Sequence, residues 1–135
     1  MAREAAGPRN WEALPWKTTP YEGVSISLLN ERLDLQNPDV PLRSLYAVRL
    51  NPAAILRRHI HKREPNWREE ITFQEMGDFE ILRADGSEKV SNELLVITIK
   101  PYEVFGLNNY GLRPLFFTSR MVPGFTGYQE IEEIK

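Results

Sequence analysis

Both histidines of this 135-residue chain stand one residue apart, in the stretch Arg57-Arg58-His59-Ile60-His61. The stretch is typical of a β-strand, in which alternate side chains lie on one face. His59 and His61 are therefore predicted to face the same way, with Arg57 in line beside them. Two imidazoles on one face begin a metal site, and a carboxylate from another strand would complete a facial triad. The pattern predicts a metal-binding face if such a carboxylate exists.

The arginine beside the histidines has a chemistry of its own. A guanidinium makes bidentate contacts with carboxylates or phosphates, and burying it without an anionic partner is costly. We therefore predict that Arg57 either pairs with a protein carboxylate such as Glu70 or binds a small anionic molecule. For Arg63 and Arg68, which follow the histidines, a solvated loop is expected.

Composition limits the classes of function. The net charge is −2 with both signs mixed along the chain, which argues against nucleic-acid or membrane-surface binding. Cysteine is absent, so the chain has neither disulfides nor a thiolate metal site. The sequence has no apolar run of transmembrane length and no hydrophobic signal core, which predicts a cytoplasmic protein.

Short alternating segments separated by turns predict an all-β fold. Asp85-Gly86 supplies a hairpin turn, and the apolar run of residues 94–99 is typical of a strand buried on both faces. Residues 23–135 are predicted to form one barrel domain. Residues 1–22 are rich in proline and carry two tryptophans, so we expect an arm that covers this body or a second subunit, and a homodimer.

The histidine strand resembles the first motif of the cupins. That motif is His-x-His, a gap, a Glu, then six residues and a Gly, and here His59-Ile60-His61 is followed by Glu70 and Gly77. Residues 100–109 occupy the place of the second cupin motif, in which Phe105 stands where a metal-binding His belongs. The resemblance implies a double-stranded β-helix, or jelly-roll, barrel, and the composition of residues 1–22 adds an N-terminal arm to it.

The same resemblance implies a metal site. Cupins commonly bind a divalent transition metal, such as Fe, Mn, Zn or Ni, through these motifs, so His59, His61 and Glu70 are the implied ligands. Three other carboxylates compete with Glu70 and stay open as alternatives: Glu64, Glu69 and Glu103. Strand alternation puts Glu69 and Glu70 on opposite faces, and we prefer Glu70 because of its spacing from the Gly that follows.

Other residues complete the hypothesis. Tyr102 is a candidate acid or base near the metal, with a core-edge tyrosine as the alternative, and Trp67 is a candidate lid or a buried residue. Residues 121–127 resemble the ending of ectoine synthases, which are small single-domain cupins. The Glu-rich end, residues 130–133, is expected to be a solvated tail.

The sequence therefore predicts a small cupin that acts on a small anionic organic molecule. We expect a metal-dependent enzyme of isomerase, cyclase or lyase, or dioxygenase type, since the fold does not fix the reaction. The alternative is a metal-free cupin that binds a small ligand or regulates without catalysis.

Overall fold

The computed structural model describes residues 10–73, 77–91 and 95–135, and the predicted all-β architecture is confirmed. Eleven strands occur in these residues, with short 3₁₀ turns at Trp11–Ala13 and Tyr128–Glu130. The strands are β1 (Lys17–Thr18), β2 (Val24–Arg32), β3 (Arg43–Leu50), β4 (Ile55–His61), β5 (Arg68–Phe73), β6 (Asp78–Arg83), β7 (Gly86–Ser91), β8 (Leu95–Ile99), β9 (Phe105–Asn109), β10 (Leu115–Val122) and β11 (Ile131–Glu133).

The strands form two antiparallel sheets that face each other. The six-stranded sheet has the order β1-β2-β3-β10-β5-β8, and the five-stranded sheet has the order β11-β4-β9-β6-β7. Successive strands alternate between the sheets in places, so the histidine strand β4 lies opposite β5, which carries Glu69 and Glu70. None of the helices in the described residues is long and apolar enough to cross a membrane.

The core lies between the two sheets. Phe73 stacks on Phe79 with ring centroids 4.5 Å apart and lies 5.1 Å from Phe117, which joins three strands at one point. Each aromatic or aliphatic side chain fully removed from water here contributes roughly 1.5–3 kcal/mol to stability. This packing holds the two walls of the barrel at a fixed separation.

Residues 10–16 of the N-terminal arm pack on the outside of the six-stranded sheet, and β1 extends that sheet at its edge. Trp11 is buried and stacks on Phe116 at 5.2 Å, and the Trp16 indole N–H donates to the Trp11 carbonyl at 2.9 Å. Glu12 lies 3.6 Å from Arg49 of β3. The arm therefore covers apolar surface of the same chain.

A β-bulge in β4 decides which way its side chains point. Leu56 is opposite Leu107 and His59 is opposite Phe105, so β4 has one more residue than β9 between these two pairs. Gly106 lies against the bulge, and a Cβ there would be 2.6 Å from the Leu56 carbonyl oxygen. Only a glycine lets the two backbones approach this closely.

Candidate active site

A cavity of about 80 Å³, partly open to solvent, lies between the sheets and is lined by both histidines. Its other acidic or hydroxyl-bearing side chains are Glu69, Ser119 and Thr19, together with three half-buried tyrosines. The rest of the wall is apolar or aromatic: Val24, Ile26, Val48, Leu56, Ile71, Phe105, Phe117, Met121, Phe125 and Ile131. The described lining residues include no lysine and no arginine.

His59 is held as a neutral imidazole. Its Nδ1–H donates to the Arg57 carbonyl at 2.8 Å, which leaves Nε2 as the unprotonated nitrogen. Burial lowers the pKa of His59, and His61 nearby lowers it further, while the Arg57 carbonyl and Glu69 act in the opposite direction. The result is a hydrogen-bond acceptor at the cavity wall at neutral pH.

His61 is fixed on four sides. Its Nδ1 is 2.5 Å from Glu130 Oε2, and its Nε2 is 3.5 Å from Glu69 Oε1. The ring stacks on Trp67 at 4.8 Å and meets Phe125 edge to face at 6.5 Å. An imidazole held this tightly is oriented in advance for proton transfer.

Glu130 anchors this arrangement, and the prediction of a solvated tail is wrong at this position, since Glu130 is buried. Its Oε1 accepts hydrogen bonds from Arg63 at 2.9 Å and from both the backbone N–H and the hydroxyl of Thr126. Burial acts to raise the pKa of Glu130, but the hydrogen bonds from His61 and Thr126 outweigh it and hold the pKa below its ordinary value. Glu130 is therefore ionised and accepts from His61.

Glycine geometry brings Glu130 into the barrel. Gly127 has a φ of 124°, a conformation that other residues rarely adopt, and it precedes the turn that carries Glu130. The two glycines at positions 124 and 127 were the feature of the sequence that indicates a turn here. Arg63, expected in a solvated loop, is also buried through its pairing with Glu130.

Glu69 is the carboxylate that faces the histidines. It is buried on the inner face of β5, and the Ser119 hydroxyl donates to its Oε2 at 2.6 Å. The other oxygen, Oε1, faces His61. A continuous chain of polar groups therefore runs from Arg63 through Glu130, His61 and Glu69 to Ser119.

The structure does not bring Glu70 to the histidines. Alternation along β5 turns its side chain to the exposed outer face, opposite Arg120 of β10 and Thr98 of β8 in the sheet register. The other two alternatives are also elsewhere. Glu64 is exposed and pairs with Arg63, and Glu103 pairs with Arg83 at 3.3 Å.

The two predicted catalytic residues lie outside the cavity. Arg57 does not share the histidines' face because the bulge shifts the alternation of β4, and its side chain is 75% exposed and pairs with Glu133 at 3.2 Å. Tyr102 is 60% exposed, and only its backbone N–H reaches the histidine strand, where it donates to the His61 carbonyl. Neither side chain lines the cavity.

Trp67 and Phe105 take structural positions at the site. Trp67 is fully buried behind His61, with the Arg63 guanidinium 5.6 Å from its ring centroid, so it is a wall residue rather than an exposed lid. Phe105 is buried beside His59, with ring centroids 6.4 Å apart. Its apolar ring therefore stands at the motif position where cupins carry a metal-binding His.

The described residues do not fit a metal site. Within 10–73, 77–91 and 95–135, no three His, Asp or Glu side chains come together in a group that could hold a metal ion. His61 has a carboxylate at each ring nitrogen, and Glu69 is bound by Ser119. The divalent metal stays a prediction.

Comparisons with known proteins identify the fold. No protein-family profile and no curated protein sequence matches the chain. Among solved structures, a protein with a double-stranded β-helix domain from Klebsiella pneumoniae is 21% identical with a TM-score of 0.61, over 86% of this chain and 84% of that one. The polyketide cyclase RemF from Streptomyces resistomycificus is 14% identical with a TM-score of 0.66, over 96% and 85%.

A third neighbour is the cupin domain of Cnp3 from Schizosaccharomyces pombe, 9% identical with a TM-score of 0.62 over 84% of this chain and 72% of that one. These proteins share the barrel architecture with the chain at low sequence identity. The predicted double-stranded β-helix is confirmed by these likenesses.

Proposed function

Because this chain has the cupin fold, we propose that it binds a small organic molecule in the barrel cavity and transfers protons on it, with His61 and Glu69 as the acid–base pair and without a metal ion. The observation that carries the proposal is the position of His61 between two buried carboxylates, Glu130 and Glu69. Solved neighbours with the same fold include an enzyme, the polyketide cyclase RemF.

The protonation pattern supports the direction of transfer. Glu130 is ionised and can only accept, so the proton of the contact with His61 resides on Nδ1. Exchange with a ligand is thereby restricted to Nε2 and Glu69, which face the cavity. Glu130 acts as a positioning residue because it orients the imidazole from behind.

The chemistry that suits this pair is proton removal beside a carbonyl group and its return to the same or a neighbouring atom. The His61–Glu69 pair takes the proton, and the electron pair of the broken C–H bond moves into the enol or enolate. No oxidant or reductant is needed. Such a step is the start of one class of isomerisation, cyclisation and lyase reactions.

Deuterium exchange tests the proposal. Phenylacetone, an uncharged ketone with acidic C–H bonds, is incubated with the protein in D₂O and followed by proton NMR. We expect exchange faster than in buffer, and a loss of about a hundredfold in His61→Asn and Glu69→Gln, in line with the usual contribution of general acid–base catalysis. Glu70→Gln is the matched control and should keep the wild-type rate.

Two outcomes contradict the proposal. If the Glu69→Gln variant exchanges as fast as the wild type, Glu69 takes no part in proton transfer. If the ketone binds and perturbs the two histidine resonances but does not exchange, the metal-free binding protein without catalysis is the better description.

A further inference from the structure

We infer that the cavity selects an uncharged ligand that combines an aromatic or apolar body with hydroxyl, carbonyl or amide groups, rather than an anion. This inference rests on the proposed function, because it concerns the ligand of the same cavity. The juxtaposition that carries it is a wall without cationic side chains, an inward-facing carboxylate, and three half-buried tyrosines in the lining.

The cavity has no uncompensated positive charge in its described lining that could attract an anion. Glu69 is the acidic side chain in the lining, and His59 is kept neutral by burial. A proton on His61 would be balanced by Glu69, and the positive charge of Arg63 is balanced by Glu130. Burying a ligand carboxylate here would therefore leave it unpaired beside a like charge, which is unfavourable.

Arg57 cannot supply the missing charge, because it lies on the outer surface and pairs with Glu133. The sequence prediction of a small anionic ligand depended on Arg57 sharing the face of the histidines. The bulge in β4 removes that premise. The anionic ligand therefore becomes the rival hypothesis.

The three tyrosines of the lining carry neutral hydrogen-bonding groups. Tyr21 meets Tyr128 edge to face at 6.0 Å, Tyr128 meets Phe125 at 5.5 Å, and Tyr46 meets Phe125 at 5.7 Å, so the four rings form a continuous aromatic rim. None of the three hydroxyls has a hydrogen-bond partner in the described part of the chain. They are free to donate to oxygen atoms of a ligand.

The rim hydroxyls also stay neutral. Burial raises the pKa of Tyr21, Tyr46 and Tyr128 above the ordinary value, and neighbouring carboxylates or tyrosines raise it further. Each is therefore a phenol that can both donate and accept at any physiological pH. In the same lining, Phe105, Phe117 and Ile71 are buried and present an apolar surface, which suits the flat face of a ring.

Benzamide and benzoate test the inference, because they have nearly the same shape and differ in charge. Binding is followed by proton NMR through the ring protons of His59 and His61, the two histidines of the chain. We expect benzamide to bind about tenfold more tightly than benzoate. A difference of this size corresponds to one unfavourable contact between the carboxylates of benzoate and Glu69, partly screened by solvent. Glu69→Gln should reduce the ratio of the benzamide affinity to the benzoate affinity, and Glu70→Gln should leave this ratio unchanged.

The rim is tested with Tyr→Phe variants at positions 21, 46 and 128. At least one should weaken benzamide binding by about three- to tenfold, as expected for one neutral hydrogen bond. Tyr102→Phe, on an exposed tyrosine outside the cavity, is the matched control and should have no effect.

The outcomes distinguish a failure of the ligand inference from a failure of the proposed function. If benzoate shifts the histidine resonances and binds as tightly as benzamide, or more tightly, the cavity is the ligand site but the inference of an uncharged ligand is overturned. If neither compound shifts these resonances, the inference is overturned. The proposed function is overturned with it if phenylacetone also leaves the resonances unshifted and does not exchange.

Discussion

Glutamate side chains on the inner and the outer face of the barrel wall have opposite environments. Glu69 and Glu130 are buried and bonded to Ser119, His61, Arg63 and Thr126, whereas Glu70 and Glu132, one and two residues along, are exposed. Strand alternation and one turn produce the whole difference. A carboxylate of this chain can therefore take part in proton transfer only if it lies on the inner face of the barrel. The number of carboxylates near the histidines in the sequence matters less.

The difference also shows why the inner groups are suited to proton transfer. A carboxylate removed from water interacts strongly with its neighbours, since the surrounding medium screens the charge poorly. An exposed carboxylate is solvated, and its ion pairs contribute about 0–1 kcal/mol.

The largest effect on stability is expected for Glu130→Gln. The substitution removes the charge that pairs with the buried Arg63 and accepts from His61, so the free energy of unfolding should fall by about 3 kcal/mol. Glu132→Gln, on an exposed side chain that lies 4.0 Å from Lys62, should change it by about 0.5 kcal/mol or less. Urea unfolding measures both, and equal effects would contradict the difference between the two faces.

Gly106→Ala tests the bulge that turns the histidines inward and Arg57 outward. A Cβ would be 2.6 Å from the Leu56 carbonyl and 3.0 Å from the Arg58 backbone, so we expect a loss of about 1–3 kcal/mol from overpacking. Gly111→Ala, where the nearest atom is 3.4 Å away, is the control. Thermal or urea unfolding gives the comparison, and a wild-type value for Gly106→Ala would argue against the bulge.

Glu69→Gln and Glu70→Gln should differ in the titration of His59. The charge of Glu69 raises the pKa of His59 and so offsets part of the lowering caused by burial. Removing that charge should lower the pKa of His59 further, while Glu70→Gln should leave it in place. Proton NMR of the imidazole protons between about pH 4 and 8 measures this, and the reverse order of the two variants would place Glu70 at the histidines.

A smaller effect is expected in the pH dependence of stability. Burial lowers the pKa of His59 from its ordinary value of 6.5. Below pH 6.5 the unfolded chain binds a proton here that the folded chain does not bind. The free energy of unfolding should therefore be fully retained above this pH and decrease as the pH falls towards the folded pKa.

Glu130 adds to this loss at lower pH, because its pKa is lowered from 4.5 in the folded chain. Urea unfolding at a series of pH values checks the profile. The His59→Gln variant should lose the upper part of the slope, and the outer variant Glu70→Gln should keep it. A stability that rises as the pH falls from neutral would have the wrong sign.

Some of this architecture could be predicted from the sequence, and the failures have physical reasons. The strand over Ile55–His61 and the shared face of its histidines follow from side-chain alternation. The bulge was not visible because its determinant, Gly106, lies on another strand 50 residues away. Arg57 was assigned to the wrong face for that reason, and the ligand prediction that depended on it loses its support.

The choice between Glu69 and Glu70 failed differently. Alternation correctly separated them, but it could not say which one faced inward, since that depends on how β5 pairs with β10 and β8. Glu130 lies 69 residues from His61 along the chain, and its burial depends on a turn and on Arg63. Contacts of this range depend on the tertiary fold and leave little trace in local sequence patterns.

The central claim is that the cavity histidines work with carboxylates and not with a metal. The most direct test is the metal content of the purified protein, measured by mass spectrometry before and after equilibration with Fe(II), Mn(II), Zn(II) and Ni(II) followed by dialysis. We predict substoichiometric metal in every case and a thermal midpoint that a chelator does not change. One retained metal ion per chain that disappears in a His59→Ala, His61→Ala double variant would contradict the account.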